Sequence, residues 1–156
     1  MAPKAGPTKD FVSRISIIYR VYFLWFEPLA ALAGTYLCFF DPEYFINVTV
    51  PSPALAAAYP VTPVLQMMMQ NLGCLYALFA INEGIVLRLT REKSVWYTVL
   101  LSMIVTDLGH VYAAYCIAPE QMFSPLAWNS DERVNYGTLF FGLFMRILFM
   151  AGIGRK

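Results

Sequence analysis

The chain has 156 residues and a formal net charge of +1 at pH 7, with 59% apolar and only 13% charged residues. This composition is too apolar for an ordinary soluble domain and indicates a small integral membrane protein. A nearly neutral chain also lacks the basic surface typical of proteins that bind nucleic acid.

Four apolar segments are each long enough to cross the hydrocarbon layer of a bilayer, which takes about 20 helical residues. We therefore predict an all-α integral membrane protein, a four-helix bundle that forms a single domain over residues 15–156. A short basic tail, residues 1–14, precedes it, and the apolar run that follows the tail is too long for a cleavable signal peptide. The predicted spans are about 15–40, 63–89, 95–118 and 134–153.

The basic residues are distributed unevenly about these spans. Most of them fall before or at the start of span one, between spans two and three, or after span four, whereas Arg133 stands alone in the connection before span four. Cytosolic connections carry the excess of Lys and Arg in membrane proteins, so both termini are predicted to be cytosolic.

The first connection, residues 41–62, contains four prolines and is the longest. Two interpretations of it remain open, a lid over the mouth of the bundle or a simple interfacial connector. In span one, Pro28 follows Glu27 directly, and proline disfavours helical geometry at the preceding residue. We therefore predict a kink there that frees backbone carbonyls close to the carboxylate.

Ionisable residues interrupt the apolar segments at comparable depths. Glu27, Asp107 and Arg146 each lie about twelve residues from a predicted membrane face, roughly 18 Å deep at ~1.5 Å per residue. Glu83 lies nearer the cytosolic face, and His110 follows Asp107 by one helical turn. Charged groups at such depth face the interior of a bundle, because exposure to lipid is costly. We therefore predict that these side chains converge in one cavity.

Structural explanations exist for several of these residues. Arg146 with one carboxylate could be a buried ion pair that fixes helix register. Gln70, Asn71 and Asn82 could form hydrogen bonds between helices, and a lone His110 is often a core histidine. One ion pair does not explain three intramembrane carboxyl groups, and this surplus favours a catalytic role over a purely structural one.

The kind of chemistry is limited by the motifs that the chain lacks. There is no nucleophile elbow, zinc-binding HExxH, phosphate-binding loop or dinucleotide fingerprint, so neither a metal ion nor a cofactor is expected. Desolvation should leave one carboxyl group protonated and another ionised, as acid/base catalysis requires. Proton transfer on a lipophilic substrate is therefore predicted: isomerisation, cyclisation or epoxide opening.

Short ordered motifs give the chain a family resemblance. They are F-E-P-L at Phe26 to Leu29, A-I-N-E-G-I-V-L-R at Ala80 to Arg88, D-L-G-H-V-Y at Asp107 to Tyr112, and W-N at Trp128 and Asn129. This order resembles a family of small fungal four-span membrane proteins of natural-product gene clusters. The family includes proteins similar to the membrane-bound epoxide hydrolase of aurovertin- and citreoviridin-type polyene pyrone pathways. The resemblance implies a lipophilic epoxide as substrate, a flavin monooxygenase of the same pathway as a partner, and the endoplasmic reticulum as location.

Epoxide opening assigns roles to the predicted site. Asp107 or Glu27 would be the base, Glu83 or the remaining carboxyl group the acid, and Arg146 the bridge between them. Residues expected to position substrate or water are Asn82, His110, Asn71, Gln70, Tyr112, Trp128 and Asn129. Three alternatives stay open: a membrane terpene cyclase or sterol-isomerase-like enzyme, a non-catalytic lipophile-binding accessory protein, and a proton-coupled transporter.

Overall fold

The computed structural model describes residues 10–50 and 60–154, and this part of the chain is helical without any β-strand. A turn of 3₁₀-helix, Phe11–Arg14, comes first. The helices that follow are α1 (Ile17–Phe40), α2 (Pro42–Thr49), α3 (Pro63–Leu89), α4 (Lys93–Ile117), α5 (Pro119–Met122) and α6 (Ser130–Met150). Predictions that concern residues 1–9, 51–59 and 155–156, including most of a lid in the first connection, lie outside the described residues.

Within the described residues, three helices are long and apolar enough to cross a membrane: α1, α3 and α4. The fourth long helix, α6, is not among them. It begins at Ser130 with Asp131 and Glu132 in its first turn, and it carries Arg146 near its end. It starts before the predicted residue 134 because Asn129 and Glu132 form a reciprocal capping box.

The predicted first connection contains a helix, α2, over part of its length. Asp41 accepts a hydrogen bond from the Tyr44 backbone N–H (3.2 Å), and Pro42 occupies the first turn, where a missing N–H does no harm. The prolines of this connection therefore limit helix length without preventing a helix.

The packed core lies at one end of the molecule. Phe149 of α6 is fully buried there and packs against Tyr19, Phe23 and Trp96, with ring centroids 5.3–5.9 Å apart. The Tyr19 hydroxyl donates a hydrogen bond to the Ile153 carbonyl (2.9 Å). The start of α1, the start of α4 and the end of α6 therefore meet at this end.

Away from this end, the helices associate in two pairs. Helix α1 runs along α3, and α4 runs along α6. The two pairs approach each other at a charged cluster and leave open space between α3 and α4, which is described below.

Candidate functional site

Arg146 stands at the centre of the predicted cluster and contacts all three intramembrane carboxyl groups. Its Nη1 donates to Asp107 Oδ2 (2.6 Å), and its Nη2 donates to Glu27 Oε1 (2.6 Å) and Glu83 Oε1 (3.3 Å). The carboxyl groups come from α1, α3 and α4, and the guanidinium comes from α6. The predicted convergence of these four side chains is thereby confirmed.

The cluster is sheltered from solvent, but not equally at each member. The side chains of Glu83 and Arg146 are 3% and 6% exposed, whereas those of Glu27 and Asp107 are 13% and 15% exposed. Glu83 is thus the innermost carboxyl group and the one most distant from the guanidinium. Asp107 and Glu27 are therefore the more accessible of the three carboxyl groups.

Gly142 makes room for this arrangement on α6. A Cβ atom at this position would lie 2.9 Å from Arg146 Nη1, 3.0 Å from Glu27 Oε1 and 3.1 Å from the Tyr22 hydroxyl oxygen. Such contacts are too short for a side chain. A side chain at residue 142 would therefore force at least one of these side-chain ends to move away from its present position.

The prediction that Glu27 itself leaves helical geometry is wrong. Glu27 keeps helical geometry (φ −64°, ψ −45°), and the irregularity is a π-helical turn, Tyr22–Phe26, immediately before it. The Glu27 N–H bonds to the carbonyl of Tyr22, five residues back. Widening the turn relieves the clash between Pro28 and the preceding turn without breaking the helix. It also brings the Tyr22 side chain beside Glu27, an arrangement that ordinary helical spacing does not give.

A second π-helical turn, Asn82–Val86 of α3, contains Glu83 and packs against the first. The two turns approach closely because residue 84 is glycine: a Cβ there would lie 3.2 Å from Pro28 Cβ. Single π-turns inside α-helices occur often at functional sites. Here each places a glutamate next to Arg146.

Arg88 connects the two π-helical turns. Pro28 has no N–H, so the Leu24 carbonyl loses its helical donor, and Arg88 Nη2 donates to that carbonyl instead. Arg88 Nη1 donates to the Gly84 carbonyl, and the guanidinium lies over the Trp25 ring, 4.3 Å from its centroid. In the sequence Arg88 appears only as the last residue of the A-I-N-E-G-I-V-L-R motif, whereas in the structure it contacts both α1 and α3.

The four charged side chains line a cavity of about 530 Å³, within the size range of sites for small ligands. Further polar groups of the cavity wall come from Tyr22, Thr106, Asp131, Asn135 and Thr138. None of these five was predicted from sequence. Their only signal was a place on the same helices as the charged residues, and that signal is too common to be selective.

A second cavity, of about 810 Å³, adjoins the first between α3 and α4. It contains no charged side chain among its described lining residues, and aliphatic and aromatic side chains make up most of its wall. His110 lines both cavities.

Other residues predicted to position substrate or water lie elsewhere. Asn71 and Tyr112 are exposed on the outer surfaces of α3 and α4, Tyr112 by 69%. Gln70 and Asn82 are half-buried but do not line either cavity. Helical spacing alone could not show which flank of a span faced the charged cluster.

The Trp128-Asn129 motif is a helix-start structure, which corrects its predicted role at the site. The Asn129 side chain accepts from the Glu132 N–H (2.9 Å), and the Glu132 carboxylate accepts from the Asn129 N–H (2.8 Å). Trp128 Nε1 donates to the Gln121 carbonyl (2.8 Å). These side chains are already engaged and do not line the cavity.

The cluster combines one guanidinium with three carboxyl groups. If all three carboxyl groups were ionised, two negative charges would remain uncompensated in a sheltered site, which is costly. The cluster is therefore suited to hold a proton and to exchange it with a guest. In the described ranges 10–50 and 60–154, no three His, Cys, Asp or Glu side chains are grouped so as to hold a metal ion.

Comparison with known proteins gives one family. No match was found among curated proteins or among solved structures. Residues 12–156 match the model of a domain of unknown function, DUF7704. Since the match covers nearly the whole sequence, the chain belongs to the DUF7704 family.

Proposed function

We propose that the protein is a membrane-embedded epoxide hydrolase or cyclase that opens epoxides of a lipophilic polyketide in fungal secondary metabolism. The observation that carries the proposal is the bridging of three carboxyl groups by Arg146 at the wall of a cavity. Epoxide opening needs an acid and a base held a short distance apart, and a guanidinium between carboxyl groups holds them so.

The cluster can supply and accept every proton that the reaction transfers. A protonated carboxyl group donates its proton to the epoxide oxygen while one C–O bond of the ring breaks. An ionised carboxylate takes a proton from water, whose oxygen bonds to the ring carbon, and the product is a diol. If a hydroxyl group of the substrate replaces water, the product is a cyclic ether. The proton gained by the base then returns to the acid through the shared site.

Burial and distance support one assignment of the roles that sequence left open. We assign the acid to Glu83, the innermost carboxyl group with the longest contact to Arg146 (3.3 Å). We assign the base to Asp107, which is more exposed to the cavity and contacts the other guanidinium nitrogen. Glu27 then anchors Arg146 Nη2, and His110 contacts the substrate at the cavity wall.

The same proposal includes a membrane topology. Helix α6 would be the fourth span of a four-helix bundle, with both termini cytosolic and the endoplasmic reticulum as the membrane. Two observations support it. Lys and Arg are in excess at both termini and between α3 and α4. The starts of α1 and α4 also meet the end of α6 at one end of the molecule. A flavin monooxygenase of the same pathway would supply the epoxide.

The test is incorporation of solvent oxygen. Microsomes carrying the protein should convert a polyene epoxide to a diol that contains oxygen from ¹⁸O-labelled water. Asp107→Asn and Glu83→Gln should each lower this rate by at least about 100-fold, the usual contribution of acid/base groups. Glu43→Gln, an exposed carboxyl group on α2, is the matched control and should keep the full rate.

Full turnover by the variants of Glu27, Glu83 and Asp107, at normal expression, would refute the catalytic proposal. Retention of the epoxide without turnover by the wild-type protein would identify a binding protein instead.

A carbocation cyclase is the second candidate, because aromatic rings line the cavity beside the cluster. Tyr22, Phe26, Phe45, Tyr76 and Phe79 contribute to its wall. Aromatic faces stabilise cations, and a carboxylic acid can start cyclisation by protonating an epoxide. Such an enzyme would give a carbocyclic product with new C–C bonds, whereas the first proposal gives a diol or a cyclic ether. Product structure together with the ¹⁸O content therefore separates the two.

A further inference from the structure

The charged cavity borders the apolar cavity between α3 and α4. The two share a boundary formed by Phe45, Thr49, Tyr76, Phe79, Thr106 and His110. The two cavities are therefore immediate neighbours, with only these shared side chains between them.

Polarity changes sharply across this boundary. Glu27, Glu83, Asp107 and Arg146 all line the first cavity and none of them lines the second. Apart from Thr106 and His110 at the boundary, the α4 side of the second cavity consists of Gly109, Ala113, Ala114 and Ile117. The combined space thus has one charged end and one hydrocarbon-like end.

The combined space is also elongated. From Asp107 to Ile117 the wall follows α4 over ten residues, roughly 15 Å at ~1.5 Å per residue. Small side chains along this stretch keep it open. At Gly109 a Cβ atom would meet nothing within 4 Å.

We propose that the two cavities form one binding site for an elongated amphiphile, a long hydrocarbon chain with an epoxide at or near one end. The oxygenated end lies among the carboxyl groups beside Arg146, and the chain lies in the apolar cavity between α3 and α4. This inference rests on the proposed function for the reacting group, but binding of the chain does not depend on turnover.

Blocking the apolar cavity should change substrate choice without touching the charged cluster. Gly109→Leu places a side chain in the open space, and Ala113→Leu is a second blocking variant on the same wall. Gly137→Leu is the matched control, since a Cβ there also meets nothing within 4 Å and residue 137 lines neither cavity.

The first measurement compares kcat/KM for hexadecene oxide and butene oxide in detergent-solubilised protein. The wild-type protein and Gly137→Leu should prefer the long epoxide. Gly109→Leu should lower kcat/KM for the long epoxide by at least about 10-fold, the lower end of what a contact in a hydrophobic pocket supplies, and leave kcat/KM for the short epoxide within about twofold of the wild-type value. Equal losses for both epoxides, or none for either, would overturn the inference.

The second measurement uses photo-crosslinking with a diazirine-bearing hexadecanol and needs no turnover. Labelled peptides should come from α3 and α4 in the wild-type protein and in Gly137→Leu, and labelling should fall strongly in Gly109→Leu and Ala113→Leu. If the protein opens no epoxide, this pattern still supports the site while the proposed function fails. Equal labelling of all variants overturns the site even if epoxides are opened. Displacement of the label by dioleoylphosphatidylcholine, but not by unlabelled hexadecene oxide, also overturns it, because the cavity then holds bilayer lipid.

Discussion

Replacing Arg146 with methionine should strongly destabilise the protein. The side chain is 6% exposed and contacts three carboxyl groups at 2.6, 2.6 and 3.3 Å. Removal of one partner from a buried ionic cluster costs about 3–5 kcal/mol, since the remaining charge is left uncompensated. At ~2–4 °C per kcal/mol for a chain of this size, the melting temperature should fall by at least about 6 °C. Tryptophan fluorescence during heating of the purified protein in detergent measures this fall.

The destabilisation should be reversible by neutralising the carboxyl groups. Combining Arg146→Met with Glu27→Gln, Glu83→Gln and Asp107→Asn removes every charge from the cluster and should restore most of the lost stability. Arg133→Met is the matched control on the same helix, exposed and outside the cluster, and should change stability by no more than about 0.5 kcal/mol. Wild-type stability of Arg146→Met alone, or no recovery in the neutral combination, would refute the argument that charge compensation holds the four helices together.

Three further outcomes follow from the same contacts, each measured by thermal unfolding in detergent. Gly142→Ala should destabilise the protein by about 1–3 kcal/mol, because the added methyl group overpacks against the charged cluster. Gly137→Ala has open space around it and should be neutral or stabilise the protein by up to about 1 kcal/mol. Equal effects of the two substitutions would contradict the close approach of α6 to the cluster. Arg88→Ala should destabilise the protein by about 1.5–3 kcal/mol. The loss should be smaller in a Pro28→Ala background, where residue 28 regains an N–H that can donate to the Leu24 carbonyl. Additive effects of the two substitutions would exclude this coupling between Arg88 and residue 28. Asn129→Ala should lower stability by about 1 kcal/mol through loss of the helix cap, and it should leave the proposed epoxide turnover unchanged.

The charged cluster could be predicted from sequence because solvation leaves few alternatives. Glu27, Asp107 and Arg146 sit deep in apolar segments, and the cost of facing lipid is so large that convergence is the simplest solution. The apolar helices themselves were readable for the same reason, since length and composition alone indicate a span.

Neutral polar residues could not be placed by this argument. Asn71 and Tyr112 lie on the outer surface. Exposure of an uncharged polar side chain costs less free energy than exposure of a charge, so the depth of these residues in a span does not decide their orientation. Asn129 was misassigned because a short motif does not distinguish a helix cap from a ligand contact, and only the downstream Glu132 gave a hint. Tyr22 was missed because it lies five residues before Glu27, a spacing that pairs side chains in a π-turn but not in an α-helix.

The widened turn at Tyr22–Phe26 has a consequence for how sequences of this kind can vary in length. It amounts to one additional residue in an otherwise regular helix, so a chain lacking that residue could still form an uninterrupted helical rod. Every side chain beyond the deletion would then rotate by about 100° about the rod axis relative to those before it. A shortened homologue would keep its glutamate-proline pair in the alignment yet direct the acid toward the lipid. The number of residues in this stretch, rather than the presence of the pair, is therefore the feature by which to identify homologues that carry the same centre.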